Sequence, residues 1–215
     1  SAFYNCVFFE GDLKIPDSVT AIGTAAFSDC LSIHGNVILP NNLEFLNESI
    51  FCRCYQLSGN MVIPKTIKSI GNYAFYYCRD FTGQLNIPDT VKSIGSYAFE
   101  MCMRFTGPLI IPNSVENIGN DAFKCCIGFS GELKLSNKLK SIEASVFKNC
   151  SNLIGSLVIP NNIISIGDYA FENCSGFSSE LKLQNDQVSL HYSFLIQLLK
   201  FKMVLSINAV DSLEH

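Results

Sequence analysis

The chain has 215 residues, with 15 Lys and Arg against 19 Asp and Glu, a formal net charge of −4, 48% hydrophobic residues, 17 Phe and no Trp. That balance leaves no basic footprint for nucleic acid. No window reaches the 18 or more uninterrupted apolar residues of a membrane span, and the nearest stretch, 194–210, carries Lys200 and Lys202 in its middle.

The chain is one sentence written repeatedly, with a period of 24 residues. Phenylalanines fall at Phe3, Phe27, Phe51, Phe75, Phe99, Phe123, Phe147 and Phe171, and cysteines at Cys6, Cys30, Cys54, Cys78, Cys102, Cys126, Cys150 and Cys174. Prolines fall at Pro16, Pro40, Pro64, Pro88, Pro112 and Pro160, with Ser136 in the missing slot. A fixed period in the range of roughly 20–50 residues is the signature of a solenoid and outranks any local reading. Because Phe3 and Cys6 already occupy repeat positions, the sequence is expected to begin inside a repeat and to belong to something longer. No initiator Met or signal-peptide pattern opens it.

Within one unit the pattern changes character twice. Gly83-Gln84-Leu85-Asn86-Ile87-Pro88 alternates apolar and polar, which predicts a short strand. Pro88 ends it, having no N–H to give to a ladder. Asp89-Thr90 reads as a turn, and Val91 and Ile94 point inward again. Gly95 follows, with Gly23, Gly71, Gly119 and Gly167 at the same slot, predicting a positive φ or a tight bend. Asn47 and Glu143 break that slot, so the coil from Leu133 to Cys150 is expected to bend differently. Tyr97–Cys102 puts Ala98, Phe99 and Cys102 on one side, the spacing of a short helical or 3₁₀ turn. One such coil cannot bury enough apolar surface to fold alone, whereas stacked coils share burial.

The frame continues through 184–207, where Leu195, Leu198, Phe201, Leu205 and Ile207 keep the apolar slots while Pro, Gly and Cys disappear. This stretch reads as a degenerate terminal coil. Counting inward pairs from Leu13/Ile15 to Leu205/Ile207 predicts nine strands. Residues 1–207 are thus expected to form a single solenoid of eight to nine coils. Residues 208–215 are a tail whose end, Leu213-Glu214-His215, resembles the start of a purification tag.

The unit IP-x-[ST]-V-x-x-IG-x-x-AF-x-x-C followed by F-[TS]-G, carried by Ile87–Cys102, Ile111–Cys126 and Ile159–Cys174, resembles the BspA-like leucine-rich repeats. The family's spacing from cysteine to proline is slightly shorter, and the extra length here goes with Gly35, Gly59, Gly83, Gly107, Gly131 and Gly155. The resemblance implies a leucine-rich-repeat solenoid, α/β or mainly β. It would be a right-handed curved superhelix with a parallel sheet on its concave side. It also implies a non-enzymatic recognition protein of the adhesin type, at the cell surface or outside the cell, binding host or other-cell proteins. An intracellular leucine-rich-repeat scaffold is the alternative.

On that reading the outward strand residues Lys14, Ile38, Val62, Asn86, Ile110, Lys134, Val158, Lys182 and Ser206 form the candidate protein-binding row. Their β-branched members have two readings, strand propensity or a contact patch. His34 and His191 lie in no triad or HExxH spacing, so neither catalysis nor a cofactor is expected. The cysteine ladder reads as buried free thiols, with disulfides or a metal as the alternative. Cys52/Cys54 and Cys125/Cys126 lack a second ligand pair for zinc. Asn47, Asn149 and Asn173 match the glycosylation acceptor pattern, two of them overlapping the ladder. The expected partner is a protein, with no nucleic acid and no membrane insertion. Weak homodimerisation is expected through an N-terminal coil that exposes apolar side chains and the strand edge at Leu13–Ile15.

Overall fold

The computed structural model describes residues 2–6, 8, 10–184, 189–190 and 204–207. Its strands are short: β1 (Leu13–Lys14), β2 (Val37–Ile38), β3 (Phe45–Leu46), β4 (Ser58–Asn60), β5 (Ser69–Ile70), β6 (Asp80–Thr82), β7 (Ser93–Ile94), β8 (Leu109–Ile110), β9 (Asn117–Ile118), β10 (Leu133–Lys134), β11 (Ser141–Ile142), β12 (Gly155–Ile159), β13 (Ser165–Ile166), β14 (Phe177–Leu183), β15 (Ser189–Leu190) and β16 (Val204–Ile207). Every pairing is parallel, and most join residues one period apart, such as Leu13 with Val37 and Leu109 with Leu133. Because the register equals the repeat, each inward side chain stacks on its own equivalent. The frame carries into the terminal coil, where Leu205 pairs with Leu181 and Ile207 with Leu183. The expected apolar slots at Leu195, Leu198 and Phe201 lie outside the described residues.

The first strand column holds β1 and β2, then β8 and β10, then β12, β14 and β16. Leu13 and Ile15 are buried and donate their N–H groups to Asn36 and Ile38 carbonyls at 2.9 and 3.0 Å. The proline then turns the chain: the N–H groups of Val19, Ile67, Val91 and Val115 bond back to the carbonyls of Pro16, Pro64, Pro88 and Pro112. Ser136 takes the proline slot while fully buried, because its hydroxyl donates to the Val115 carbonyl at 2.6 Å and accepts from the Lys138 N–H at 3.1 Å. A buried hydroxyl so satisfied costs little.

Nine strands do not form in this column. Met61, Ile63, Leu85 and Ile87 are buried as the alternation requires, yet 61–63 and 85–87 are not strands. There the pairing moves to the preceding corner, where β4 and β6 join residues 22 apart, Gly59 with Phe81. The corner glycines Gly35, Gly59, Gly83, Gly107 and Gly155 have φ between 75 and 92°. A left-handed glycine in a strand marks a bulge, and a register shift follows Gly155 directly. At five of its six positions the extra glycine that separates this repeat from its family's pattern therefore makes a left-handed corner, and Gly131 is the exception.

The second column, β3-β5-β7-β9 and β11-β13-β15, corrects the reading of the other glycine slot. Gly23, Gly71, Gly95, Gly119 and Gly167 are not among the positive-φ residues. What Gly71, Gly95, Gly119 and Gly167 provide is clearance, whereas a Cβ on Gly23 would meet nothing within 4 Å. A Cβ on Gly71 would lie 2.6 Å from the Glu48 nitrogen, and one on Gly167 2.7 Å from the Ala144 nitrogen. The N–H groups of Gly71, Gly95, Gly119 and Gly167 instead reach the carbonyls of Leu46, Ile70, Ile94 and Ile142 at 2.6–2.9 Å. Both exceptions interrupt this ladder. Among the described residues Glu143 makes no such bond, and the sheet divides between β9 and β11. At Asn47 the side-chain amide donates to the Ile22 carbonyl at 2.6 Å instead.

No helix forms among the described residues. The expected helical segment is a run of tight turns holding two left-handed residues per coil, such as Tyr97 (φ 59°) and Met101 (φ 65°). These residues break any helix and rotate alternate N–H groups toward the next coil. Tyr97, Phe99 and Met101 donate to Asn120, Ala122 and Lys124 carbonyls at 2.8–2.9 Å.

The core is the stack itself. Phe3, Phe27, Phe51, Phe75, Phe99, Phe123, Phe147 and Phe171 lie nearly parallel, with centroids 5.1–5.8 Å apart. A second stack, Phe81, Phe105 and Phe129, meets the first edge-on at Phe75 and Phe99. Offset-stacked and edge-on rings add to the burial of apolar area.

Candidate functional site

The outward row of the first strand column emerges as one line. Lys14, Ile38, Val62, Asn86, Ile110 and Lys134 are exposed, and Val158 and Lys182 are half-buried. Lys14 pairs with Ile38, Ile110 with Lys134 and Val158 with Lys182, so the side chains stand side by side on one face. At about 4.8 Å per coil the row runs roughly 34 Å. Ile38 is 49% exposed, Val62 65% and Ile110 43%, although their chain neighbours on both sides are buried. Asn86 interrupts the apolar line. At the far end Lys134, Val158, Glu132 and Gln184 line a shallow depression of about 360 Å³. Ser206, the last member of the row, pairs its backbone with Lys182.

The polar constellations are used inside the stack. His34 Nδ1 lies 3.1 Å from the Ser32 carbonyl on the surface. Among the described residues no group of three or more His, Cys, Asp or Glu is placed to hold a metal. The ten cysteines are unpaired. Each ladder thiol from Cys30 to Cys174 donates to the carbonyl of the phenylalanine 27 residues earlier, at 2.9–3.2 Å. Burial holds these thiols above their ordinary value, Cys174 at about 12. The sequon amides are also occupied: Asn47 on the Ile22 carbonyl, Asn149 on Cys125 Sγ at 3.3 Å, and Asn173 on Asn149 Oδ1 at 2.8 Å.

A second surface lies on the turn side and was missed by reasoning from the repeat. Tyr73 and Tyr97 stack at 4.7 Å, and Tyr76 meets both edge-on. Tyr77 packs on Tyr76 at 4.5 Å and on Tyr55 at 6.1 Å. The Arg79 guanidinium lies over the rings of Tyr77 and Tyr55 at 4.7 and 5.4 Å. A compositional signal was available: five of the eight tyrosines and all three arginines of the chain fall between 53 and 104. Arginine has no slot of its own in the repeat, whereas Tyr73, Tyr97 and Tyr169 share one. Below the rings Glu100 is buried, and Lys124 Nζ bridges it at 3.1 Å and Asp121 at 3.0 Å. Burial pushes the Glu100 carboxyl up, partly offset by Lys124. Burial alone would lower Lys124, but its bonds to Asp121 and Glu100 carry it above the ordinary lysine range.

Comparison with known proteins places this geometry. No curated protein matches the sequence. Among solved structures, a leucine-rich repeat protein from Bacteroides ovatus is 27% identical, with a TM-score of 0.66 over 88% of this chain and 53% of its own. The chain thus spans about half the length of that protein. The T. pallidum leucine rich repeat protein is 20% identical, with a TM-score of 0.60 over 90% of this chain and 78% of its own. A leucine rich cell surface protein from Faecalibacterium prausnitzii is 21% identical, with a TM-score of 0.51 over 98% of this chain and 63% of its own. The last two share the fold. The profile of the BspA type leucine rich repeat region matches six copies, over residues 1–127 and 68–195. With a frame kept from Phe3 to Cys174 and a parallel stack built on it, the chain belongs to the BspA-type leucine-rich repeat family.

Proposed function

We propose that this solenoid is a non-enzymatic protein-recognition module that works at the cell surface as an adhesin-type protein. The observation that carries the reading is the outward row, where Ile38, Val62 and Ile110 stay exposed on one face although the residues before and after each of them are buried. Exposed apolar residues in a line, flanked by Lys14 and Lys134, are the kind of surface that partners cover. Surface location is supported by the family and by the F. prausnitzii relative, itself described as a cell surface protein. An intracellular scaffold is the second reading, favoured by ten unpaired cysteines, since oxidising compartments promote disulfides.

Two measurements test this. Antibody labelling of intact against permeabilised cells of the source organism separates surface from interior, and labelling only after permeabilisation would select the scaffold. Binding of the purified chain to host cells, read by flow cytometry, should fall about tenfold or more in the Ile110→Asp/Val158→Asp variant. The melting temperature should stay unchanged, because both side chains point away from the core. Equal binding by the variant would remove this row as the recognition site.

A further inference from the structure

The tyrosine–arginine surface is concentrated in neighbouring coils, between Tyr55 and Tyr97. Tyr73, Tyr77 and Tyr97 have φ of 56, 61 and 59°. For an L-residue that conformation is unfavourable, and Asn and Asp tolerate it best. The other coils carry the same two left-handed slots: that of Tyr77 holds Asn149 and Asn173 but also Arg53, Met101 and Cys125, and that of Tyr97 holds Asp121 and Ser145 but also Tyr169. Tyrosine and arginine are also the types that dominate protein-binding hot spots.

The charges narrow the partner. Arg53 pairs with Asp29 at 3.6 Å and Arg104 with Asp80 at 3.2 Å. Arg79 is exposed, and among the described residues it has no ion pair. Stacked on two rings, its guanidinium keeps its edge donors free for a planar acceptor. The equivalent slot holds Tyr55 and Met103 in the flanking coils and Leu31 and Ile127 in the next ones out, with Leu31 36% and Ile127 40% exposed. One unpaired cation thus sits in the middle of an apolar line that crosses the coils.

We infer that this turn-side surface binds a protein segment carrying a carboxylate flanked by apolar side chains, with Arg79 taking the carboxylate and the tyrosine cluster packing its neighbours. A polyanion would need several free cations, and among the described residues of this surface only Arg79 is outside an ion pair. A sugar would need open ring faces, but Tyr73 and Tyr97 each give one face to the other and Arg79 lies over Tyr55 and Tyr77. The surface is separate from the strand-face row, so the inference holds whether or not that row binds.

The test is a selection of random peptides of roughly 12 residues, displayed on phage, against the full chain. The enriched peptides are then synthesised with Asp and Glu intact or replaced by Asn and Gln. Acidic residues beside Leu or Phe should be enriched, and the amide versions should bind about tenfold or more weakly. Arg79→Ala should lose a similar factor, and Arg79→Lys should fall between, since it keeps the charge without the planar stack. Tyr77→Asn is the decisive variant: Asn suits the left-handed backbone, so the melting temperature should hold or rise while binding drops. Ile110→Asp/Val158→Asp should leave peptide binding unchanged. Enrichment without acidic residues, no enrichment, or binding indifferent to Arg79→Ala and Tyr77→Asn would overturn the inference. Peptide binding lost only in the strand-face variant would overturn it while supporting that row.

Discussion

The pairing of Cys with Phe sets the chemistry of the stack at the scale of single residues. Seven thiols each cap a phenylalanine carbonyl of the preceding coil from within the core. Each of these carbonyls also accepts the backbone N–H of its own coil's cysteine, so an apolar residue there would remove one of two bonds, and serine would bury a more polar group. Burial raises the thiols of Cys54, Cys78, Cys102, Cys126 and Cys150 above their ordinary 9.0. The unfolded chain releases these protons near pH 9 whereas the folded chain keeps them. Stability is therefore full below pH 9 and falls as pH rises above it, by roughly 1.4 kcal/mol per pH unit for each thiol. Urea midpoints between about pH 8 and pH 10.5 should show a steep decline, shallower in Cys126→Ala/Cys150→Ala. A flat profile would contradict thiol burial. Phe99 is fully buried between Phe75 and Phe123, each 5.3 Å away. Phe99→Ala should cost about 3–5 kcal/mol in chemical denaturation. A variant that unfolds with the parent would contradict the stack.

The coil is the next scale up, and its glycine slot decides where sheets begin and end. The two exceptions, Asn47 and Glu143, were visible in the sequence, and the ladder of glycine N–H bonds fails at both. The reason was not visible: a Cβ at this slot collides with the backbone of the previous coil, a contact between residues about one period apart. Glu143→Gly should let the coil close. Two effects oppose, a backbone bond worth about 1 kcal/mol and the entropy of glycine, about 0.5–1 kcal/mol. Global stability should therefore change little, while hydrogen exchange at residue 143 slows markedly. Unchanged exchange there would mean that something other than the Cβ divides β9 from β11.

Across the whole molecule, each coil touches only its neighbours, so the ends differ from the middle. At the N-terminal end Leu13, Ile15, Val19, Ile22, Ala26 and Phe27 line an apolar cleft of about 500 Å³. We propose that the 215-residue chain self-associates weakly, head to head, through this cleft and the edge of β1. Sedimentation velocity across a concentration series should show a monomer–dimer equilibrium. A chain extended by a further repeat before Ser1 should lose it. A strict monomer at high concentration, or a dimer that survives the extension, would reject the proposal.

The period in Phe, Cys and Pro determined the register by itself, because identical slots one period apart can bury themselves only by stacking. The outward row from Lys14 to Lys182 was legible for the same reason, since alternation along a strand assigns each side chain a face. The tertiary structure alone decided what depends on contacts between coils. Pairing residues 22 apart at the corner glycines displaced two of the expected strands, and left-handed residues replaced helical turns with a ladder of their own. In the tyrosine–arginine surface Tyr73 meets Tyr97 and Arg79 meets Tyr55 one period apart, but the contact of Tyr55 with Tyr77, which joins the two slots, crosses the frame. A repeat predicts what every coil shares, whereas a site made from the differences between coils exists only once they are stacked.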